Sequence, residues 1–287
     1  MSKDVNVAFD ILIERLKHSE TETAAAQLHR IAIETRLEKD FDLVRMFRSG
    51  SFGHGTSLSR ISDIDYFASI PTEKLKNNSA TTLREIKESL ANRFPNTGVY
   101  VDSPAVVVPF SNGSERHEII PADYLGQTSG ANKYDIPDRS GGWMQASPTA
   151  HNTWVNSAKN RLDKKLKQLI RLIKYWNHVK DVGLRSFYIE LRVTEYAMDE
   201  KLIIYKIDVK GALRHLLRKQ LAAMQDPQGV SGYVHPCSAA VKPTALSKTR
   251  TALSRAEKAS EEEDKGNISA AYFWWDMLFD GKFPAYY

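Results

Sequence analysis

Gly50-Ser51-Phe52-Gly53-His54-Gly55-Thr56, followed closely by Asp63-Ile64-Asp65, is the stretch on which the reading of this chain turns. It joins a turn of small residues suited to phosphate to a pair of carboxylates suited to metal. The apolar residues Leu43, Val44, Met46 and Phe47 before it predict one strand, and residues 64–70 predict the next. Side chains two apart on a strand share a face, so Asp63 and Asp65 project together while Ile64 turns back to a core. Two neighbouring carboxylates repel each other, and one tends to take up a proton unless a divalent cation keeps both ionised. Mg²⁺ binds a few carboxylates together with waters and phosphate oxygens, and a pair of such ions can steady both the attacking and the leaving oxygen. Across the turn, Gly50, Gly53 and Gly55 let the backbone approach a triphosphate, and Ser51 adds a hydroxyl donor. Amides at the start of a short helix near Thr56 add the positive end of a dipole. The pattern points to phosphoryl transfer from a nucleotide.

Taken alone, an acidic pair is commonplace in turns and at strand edges. The small-residue turn one connection upstream makes the pattern specific. The composite resembles the nucleotidyltransferase fold of the DNA polymerase beta superfamily, and within it the cyclic GMP–AMP synthase/DncV-like nucleotidyltransferases of bacterial anti-phage signalling. That family carries a third carboxylate on a later strand, an acid followed by two aliphatic residues and a proline. His117-Glu118-Ile119-Ile120-Pro121-Ala122 matches with Glu118, a glutamate where aspartate is commoner. Asp102, beside Pro104, and Asp123, after Pro121, stand as the alternatives.

The resemblance extends through residues 169–177 and 184–191, which match two helices of the family's C-terminal lobe. It implies that Lys174 and Ser186 contact the triphosphate and that Phe187 stacks on a base. Read without the family, Lys174 is a solvated helix lysine, Ser186 a helix-start residue and Phe187 a core aromatic. Asp226-Pro227 and Trp274-Trp275-Asp276-Met277-Leu278-Phe279 with Phe283-Pro284 also match the family, and these read as structural.

Composition bounds the reading. A chain of 287 residues that is 42% hydrophobic can bury a substantial core, and its length suits one large unit or two packed lobes. Its 15 Gly and 11 Pro argue against a fibrous or disordered class. Cys237 is the single cysteine, which excludes an internal disulfide and a cysteine-rich zinc ribbon. A net charge of +5 suits NTP substrates without demanding a nucleic-acid partner. The basic residues within 159–171 alternate with Leu162, Leu166, Leu169 and Ile170 and predict the solvent face of an amphipathic helix. Met1-Ser2-Lys3-Asp4 has no apolar run, and no apolar stretch is long enough to span a bilayer, so a cytoplasmic protein without a membrane partner is expected.

Along the chain, helices are predicted over residues 5–18 and 21–39, ahead of the first strand, and over residues 80–93. Short strands are predicted at 99–101, 105–110 and 118–120, and an irregular connection over 126–148, rich in Gly, Ser, Asn, Asp and Pro. Beyond residue 151 the pattern is helical over 156–179, 186–199, 209–224, 244–265 and 270–278. The expected fold is α/β (α+β): a nucleotidyltransferase mixed-sheet lobe over residues 1–150, including the N-terminal helices, packed against a helical lobe over 151–287 that clamps the nucleotide.

Asp63, Asp65 and Glu118 are thus the expected catalytic and metal-binding residues, with Mg²⁺ or Mn²⁺, as two ions, as cofactor. Gly50, Ser51, Lys174, Ser186 and Phe187 are the expected nucleotide-binding residues. The resemblance implies that NTPs are joined into a cyclic di- or trinucleotide, with release of pyrophosphate, and that a separate effector reads the product. It leaves room for a regulatory protein partner, and duplex nucleic acid is not expected to be required. Two other readings stay open: a linear nucleotidyltransferase acting on RNA, a small molecule or a protein, and a non-catalytic nucleotide- or RNA-binding module.

Overall fold

The computed structural model describes residues 4–59, 61–128, 131–148, 162, 164–225 and 232–286. The chain forms two compact units, one of residues 18–153 and one of residues 1–17 with 154–287.

The first unit is a mixed sheet with helices on one face. After α2 (Glu20–Phe41) come β1 (Arg45–Arg48), α3 (Gly50–His54), β2 (Ile64–Ser69) and α4 (Ser79–Arg93). Then follow β3 (Tyr100–Asp102), β4 (Ala105–Phe110), β5 (Glu115–Thr128), β6 (Ala131–Pro137) and β7 (Trp143–Ala146). Sheet order is β1-β2-β5-β4-β3, with β6 paired to β5 and β7 to β6. Only β2 and β5 run parallel; the other pairs in this sheet are antiparallel.

The period of two along β2 explains the layering. Ile64, Tyr66 and Ala68 pack with Ile33 and Leu37 of α2 and with Leu83, Ile86 and Leu90 of α4. Phe67, on the other face, joins Ala122, Tyr134 and Ile136. A capping box starts α2: the Ser19 hydroxyl accepts from the Glu22 amide at 3.1 Å, and the Glu22 carboxylate accepts from the Ser19 amide at 2.8 Å. Leu28 and Ile31 of this helix face solvent. Asn78 caps α4 by accepting from the Ala80 amide.

The expectation of an irregular connection over 126–148 is corrected. β5 runs on to Thr128, and β6 and β7 extend the sheet. Tyr134 and Ile136 are the reason: they alternate inward and are buried, while Asp138, Ser140, Gly141 and Gly142 form the turn between β6 and β7.

In the second unit, α1 (Val5–Arg15) is followed by α5 (Lys165–Val179), α6 (Ser186–Ala197), α7 (Tyr205–Arg218), α8 (Lys242–Asp264) and α9 (Ile268–Leu278). A two-stranded ladder of β8 (Met224–Gln225) and β9 (Tyr233–Val234), absent from the sequence expectation, lies between α7 and α8. The helix over Val5–Arg15 belongs with this unit rather than with the sheet. Phe9 explains why: its ring is edge-on to Trp275 at 4.9 Å and to Phe283 at 5.1 Å, and it also meets Phe279 and Tyr205. On α5, Leu166, Leu169 and Ile170 are fully buried while Lys165 is exposed. Lys159, Arg161 and the expected helix start at 156 lie outside the described residues, as does Asp226-Pro227.

Candidate active site

β1 delivers the chain to the small-residue turn. Gly50 opens α3 with φ +53°, and the preceding amide, that of Ser49, donates to the Asp65 carbonyl at 2.9 Å. The helix therefore begins at Gly50, six residues ahead of the expected position near Thr56. Gly50 lies so close to Asp65 that a Cβ there would sit 1.9 Å from the Asp65 Oδ2 atom. A side chain at position 50 and a carboxylate at position 65 exclude each other, which is the physical reason for glycine here. Gly55, at φ +70°, closes the short helix, and the Thr56 amide donates to the Ser51 carbonyl at 2.9 Å.

The three predicted carboxylates come together. Asp63 immediately precedes β2 and Asp65 lies on it, while Glu118 is the register partner of Asp65 on β5. Asp63 and Glu118 share a side-chain hydrogen bond. Burial and the neighbouring Asp63 charge push Glu118 up to about 7, against the opposing pull of Arg116. Burial also raises Asp63, with Arg116 again opposing. Of the alternatives, exposed Asp102 is close enough for its charge to raise both of these groups. Asp123 is not: it lies five residues farther along β5, about 17 Å at strand rise, and its Oδ1 accepts from the Thr72 hydroxyl at 2.7 Å.

The sequence reading missed Arg116. Its Nε lies 3.3 Å from Asp63 Oδ1 and its Nη2 3.1 Å from Glu118 Oε1, so one guanidinium spans both carboxylates. The available signal was spacing, because residue 116 shares a strand face with residue 118. Three half-buried carboxylates on one face, two of them spanned by the Arg116 guanidinium, suit a divalent cation. Their hard oxygen donors match Mg²⁺ or Mn²⁺.

The residues expected from the second unit are placed as follows. Ser186 is the first residue of α6 and exposed, and the N-cap position before it is held by Arg185. Phe187 is half-buried. Lys174 is not a solvated lysine: it is 4% exposed, and its Nζ donates to Glu190 Oε1 at 3.0 Å across α5 and α6.

Comparison with known proteins accounts for this arrangement. Residues 3–160 match the model of the Second Messenger Oligonucleotide or Dinucleotide Synthetase domain. The chain belongs to that family. Family membership makes it a metal-dependent nucleotidyltransferase, an oligonucleotide synthetase. It is 24% identical over 264 residues to a probable cyclic nucleotide synthase of Bacillus cereus, spanning 86% of this chain and 77% of that protein. It is 28% identical over 160 residues to a cyclic AMP-AMP-AMP synthase of Escherichia coli, spanning 53% of this chain and 50% of that protein. Its fold matches the structure of Escherichia coli CdnC with ATP at a TM-score of 0.79 and 18% identity, covering 99% of this chain and 100% of that one. The same enzyme in complex with a HORMA protein matches at 0.78 and 18%, covering 98% of each. The synthetase's mixed α/β architecture is thus that of the CD-NTases. Among its described residues no helix is long and apolar enough to cross a membrane.

Proposed function

We propose that this synthetase joins NTPs into a cyclic di- or trinucleotide second messenger, releasing pyrophosphate, as part of a cytoplasmic anti-phage response. The observation that carries the reading is the convergence of Asp63, Asp65 and Glu118 beside the Gly50-Ser51 turn. A non-catalytic binding module would have no need of such a cluster, since grouping buried carboxylates is costly without a cation.

Asp63, Asp65 and Glu118 would hold two Mg²⁺ or Mn²⁺ ions. When bound, such ions neutralise charge on the attacking and leaving oxygens of a phosphoryl transfer. The chain's own residues do the rest. Gly50 lets the backbone approach the triphosphate, and the Ser51 hydroxyl donates to it. Glu118, set beside Asp65 by the register of β2 and β5, would take the proton of the attacking ribose 2′- or 3′-hydroxyl as it adds to the α-phosphorus. Pyrophosphate leaves, and a further such step closes the ring, the second for a dinucleotide and the third for a trinucleotide, each releasing one pyrophosphate. Lys174 and Ser186 would donate to the triphosphate, and Phe187 would stack on a base.

The separate effector and the regulatory partner follow from the family reading. The HORMA complex of CdnC makes a protein partner of that kind the first to test here. Incubation with all four NTPs and Mg²⁺ or Mn²⁺, followed by mass spectrometry, should yield a cyclic product that is absent from a D63N/D65N double variant. Linear products alone would favour a linear nucleotidyltransferase, and synthesis by the double variant would remove the carboxylates from the mechanism.

A further inference from the structure

The face of β5 opposite Glu118 carries Glu115 and His117, and both meet His29 of α2. His29 Nδ1 and His117 Nε2 each lie 2.7 Å from the same oxygen, Glu115 Oε1. The three donor atoms all lie within 4.8 Å of one another. We propose that His29, Glu115 and His117 form a second metal site, separate from the catalytic carboxylates and selective for a borderline transition ion such as Zn²⁺.

Donor type is the first reason. Two imidazoles and one carboxylate suit Zn²⁺ with a fourth position left for water, whereas Mg²⁺ selects oxygen donors alone. Geometry is the second. Zinc–ligand bonds of about 2.0–2.2 Å separate tetrahedral donors by roughly 3.3 Å, so the two histidine–Glu115 separations of 2.7 Å need to open by only a fraction of an ångström, while the His29 and His117 donors already lie within 4.8 Å of each other. Shelter is the third: His117 is fully buried, while the Glu115 side chain is 14% exposed and that of His29 32%. Both rings are held in place, His29 stacked on Phe110 at 3.8 Å and His117 on Tyr66 at 5.6 Å. Glu115 also lines a cavity of about 370 Å³ with His18, Glu22, Ser62 and Ser114, which has room for a water ligand.

On metal binding, an imidazole nitrogen that faces Glu115 would give its lone pair to the ion, so the ring N–H would have to sit on the other ring nitrogen. For His117 that other nitrogen is Nδ1, which is buried and has no hydrogen-bond partner. A metal-bound histidine ordinarily gives this N–H to an acceptor, and lack of one weakens affinity about 10–100-fold. The site should therefore hold Zn²⁺ at micromolar rather than nanomolar Kd. Its effect would be to tie α2 to the strand that carries Glu118.

The test is a Zn²⁺ titration against a chromophoric chelator, repeated with Co²⁺ for its visible absorption band. It uses the wild-type chain and the D63N/D65N variant, so that the catalytic carboxylates do not confuse the count. One equivalent of Zn²⁺ should bind to both proteins, survive millimolar Mg²⁺ and raise the melting temperature by mass action. His29→Ala and Glu115→Gln, both at partly exposed positions, should each weaken binding about tenfold or more while the metal-free fold is retained by circular dichroism. No uptake at about 100 µM Zn²⁺, or equal uptake by wild type and both variants, would reduce the cluster to a hydrogen-bonded triad.

Discussion

Asp65 and Glu118 face each other as register partners on β2 and β5, the one parallel pair in the seven-stranded sheet. In an antiparallel pair, register is set largely by a short turn. Here it is set across the intervening α4, β3 and β4, so the distance between two catalytic carboxylates depends on how the helix-covered core packs. Ile64 and Tyr66 flank Asp65, and Ile119 follows Glu118; all three are buried in that one core. The core thus acts as the positioning device for the site.

The proton held between Asp63 and Glu118 makes metal-free stability depend on pH. Glu118 is raised from 4.5 to about 7, chiefly by burial. Between those values the folded chain keeps a proton that the unfolded chain has released, so stability falls as pH rises through this window and levels off above it. Urea unfolding of the metal-free protein from pH 5 to 8 should show that fall, at most about 1.4 kcal/mol per pH unit for one proton. Glu118→Gln should flatten it. Equal slopes in the two proteins would mean that Glu118 titrates normally.

Gly50 and Asp65 predict a substitution that damages chemistry more than folding. Alanine at 50 meets the Asp65 carboxylate and also has to adopt φ +53°. The backbone strain costs about 1 kcal/mol, a loss visible as a modest drop in melting temperature. Displacing a carboxylate by about 1 Å costs on the order of 100-fold in rate. Gly50→Ala should therefore melt near wild type and be nearly inactive. Near-normal kcat would show that Asp65 tolerates movement or does not contribute.

Arg116 occupies both Asp63 and Glu118 in the metal-free chain. A cation entering the cluster has to overcome this guanidinium by displacement or repulsion. Arg116→Gln should tighten Mn²⁺ binding to the nucleotide-free protein by about tenfold, equivalent to ~1.4 kcal/mol, as read by titration of the free-ion paramagnetic signal. Weaker Mn²⁺ binding in the variant would instead make Arg116 a support that orients the carboxylates.

What was legible in the sequence was local. The spacing of Asp63 and Asp65, the small residues of 50–56 and the aliphatic pair after Glu118 act within a few residues of where they are written, and the mixed sheet with a helical region follows from short-range periodicity. What was hidden depends on partners far along the chain. Tyr134 and Ile136 read as part of a polar connection until their pairing with β5 gives them a core. The helix over Val5–Arg15 has nothing in its own pattern to announce Trp275 and Phe283. Lys174 looks solvated unless Glu190 is known to lie beside it.

That last pair separates structural from ligand-binding roles. Lys174 and Glu190 are 4% and 2% exposed and 3.0 Å apart. Removing the lysine alone takes from the buried Glu190 carboxylate its cationic partner at 3.0 Å, and breaking a buried pair in this way costs about 3–5 kcal/mol, whereas replacing both with apolar residues of similar volume is often neutral or stabilising. Lys174→Ala should therefore melt well below wild type, and loss of NTP binding in that variant would not by itself mark a phosphate contact. The informative protein is the K174M/E190L double variant, which should recover most of the melting temperature. An ammonium has three donors, and Glu190 Oε1 accounts for one, so a triphosphate contact by Lys174 remains chemically available. If Lys174 makes that contact, the double variant should bind a non-hydrolysable NTP about tenfold more weakly than wild type, a difference of ~1.4 kcal/mol by calorimetric titration. Recovered stability with wild-type affinity would make Lys174 a buried strut between α5 and α6 and leave Ser186 as the proposed triphosphate donor of the helical unit.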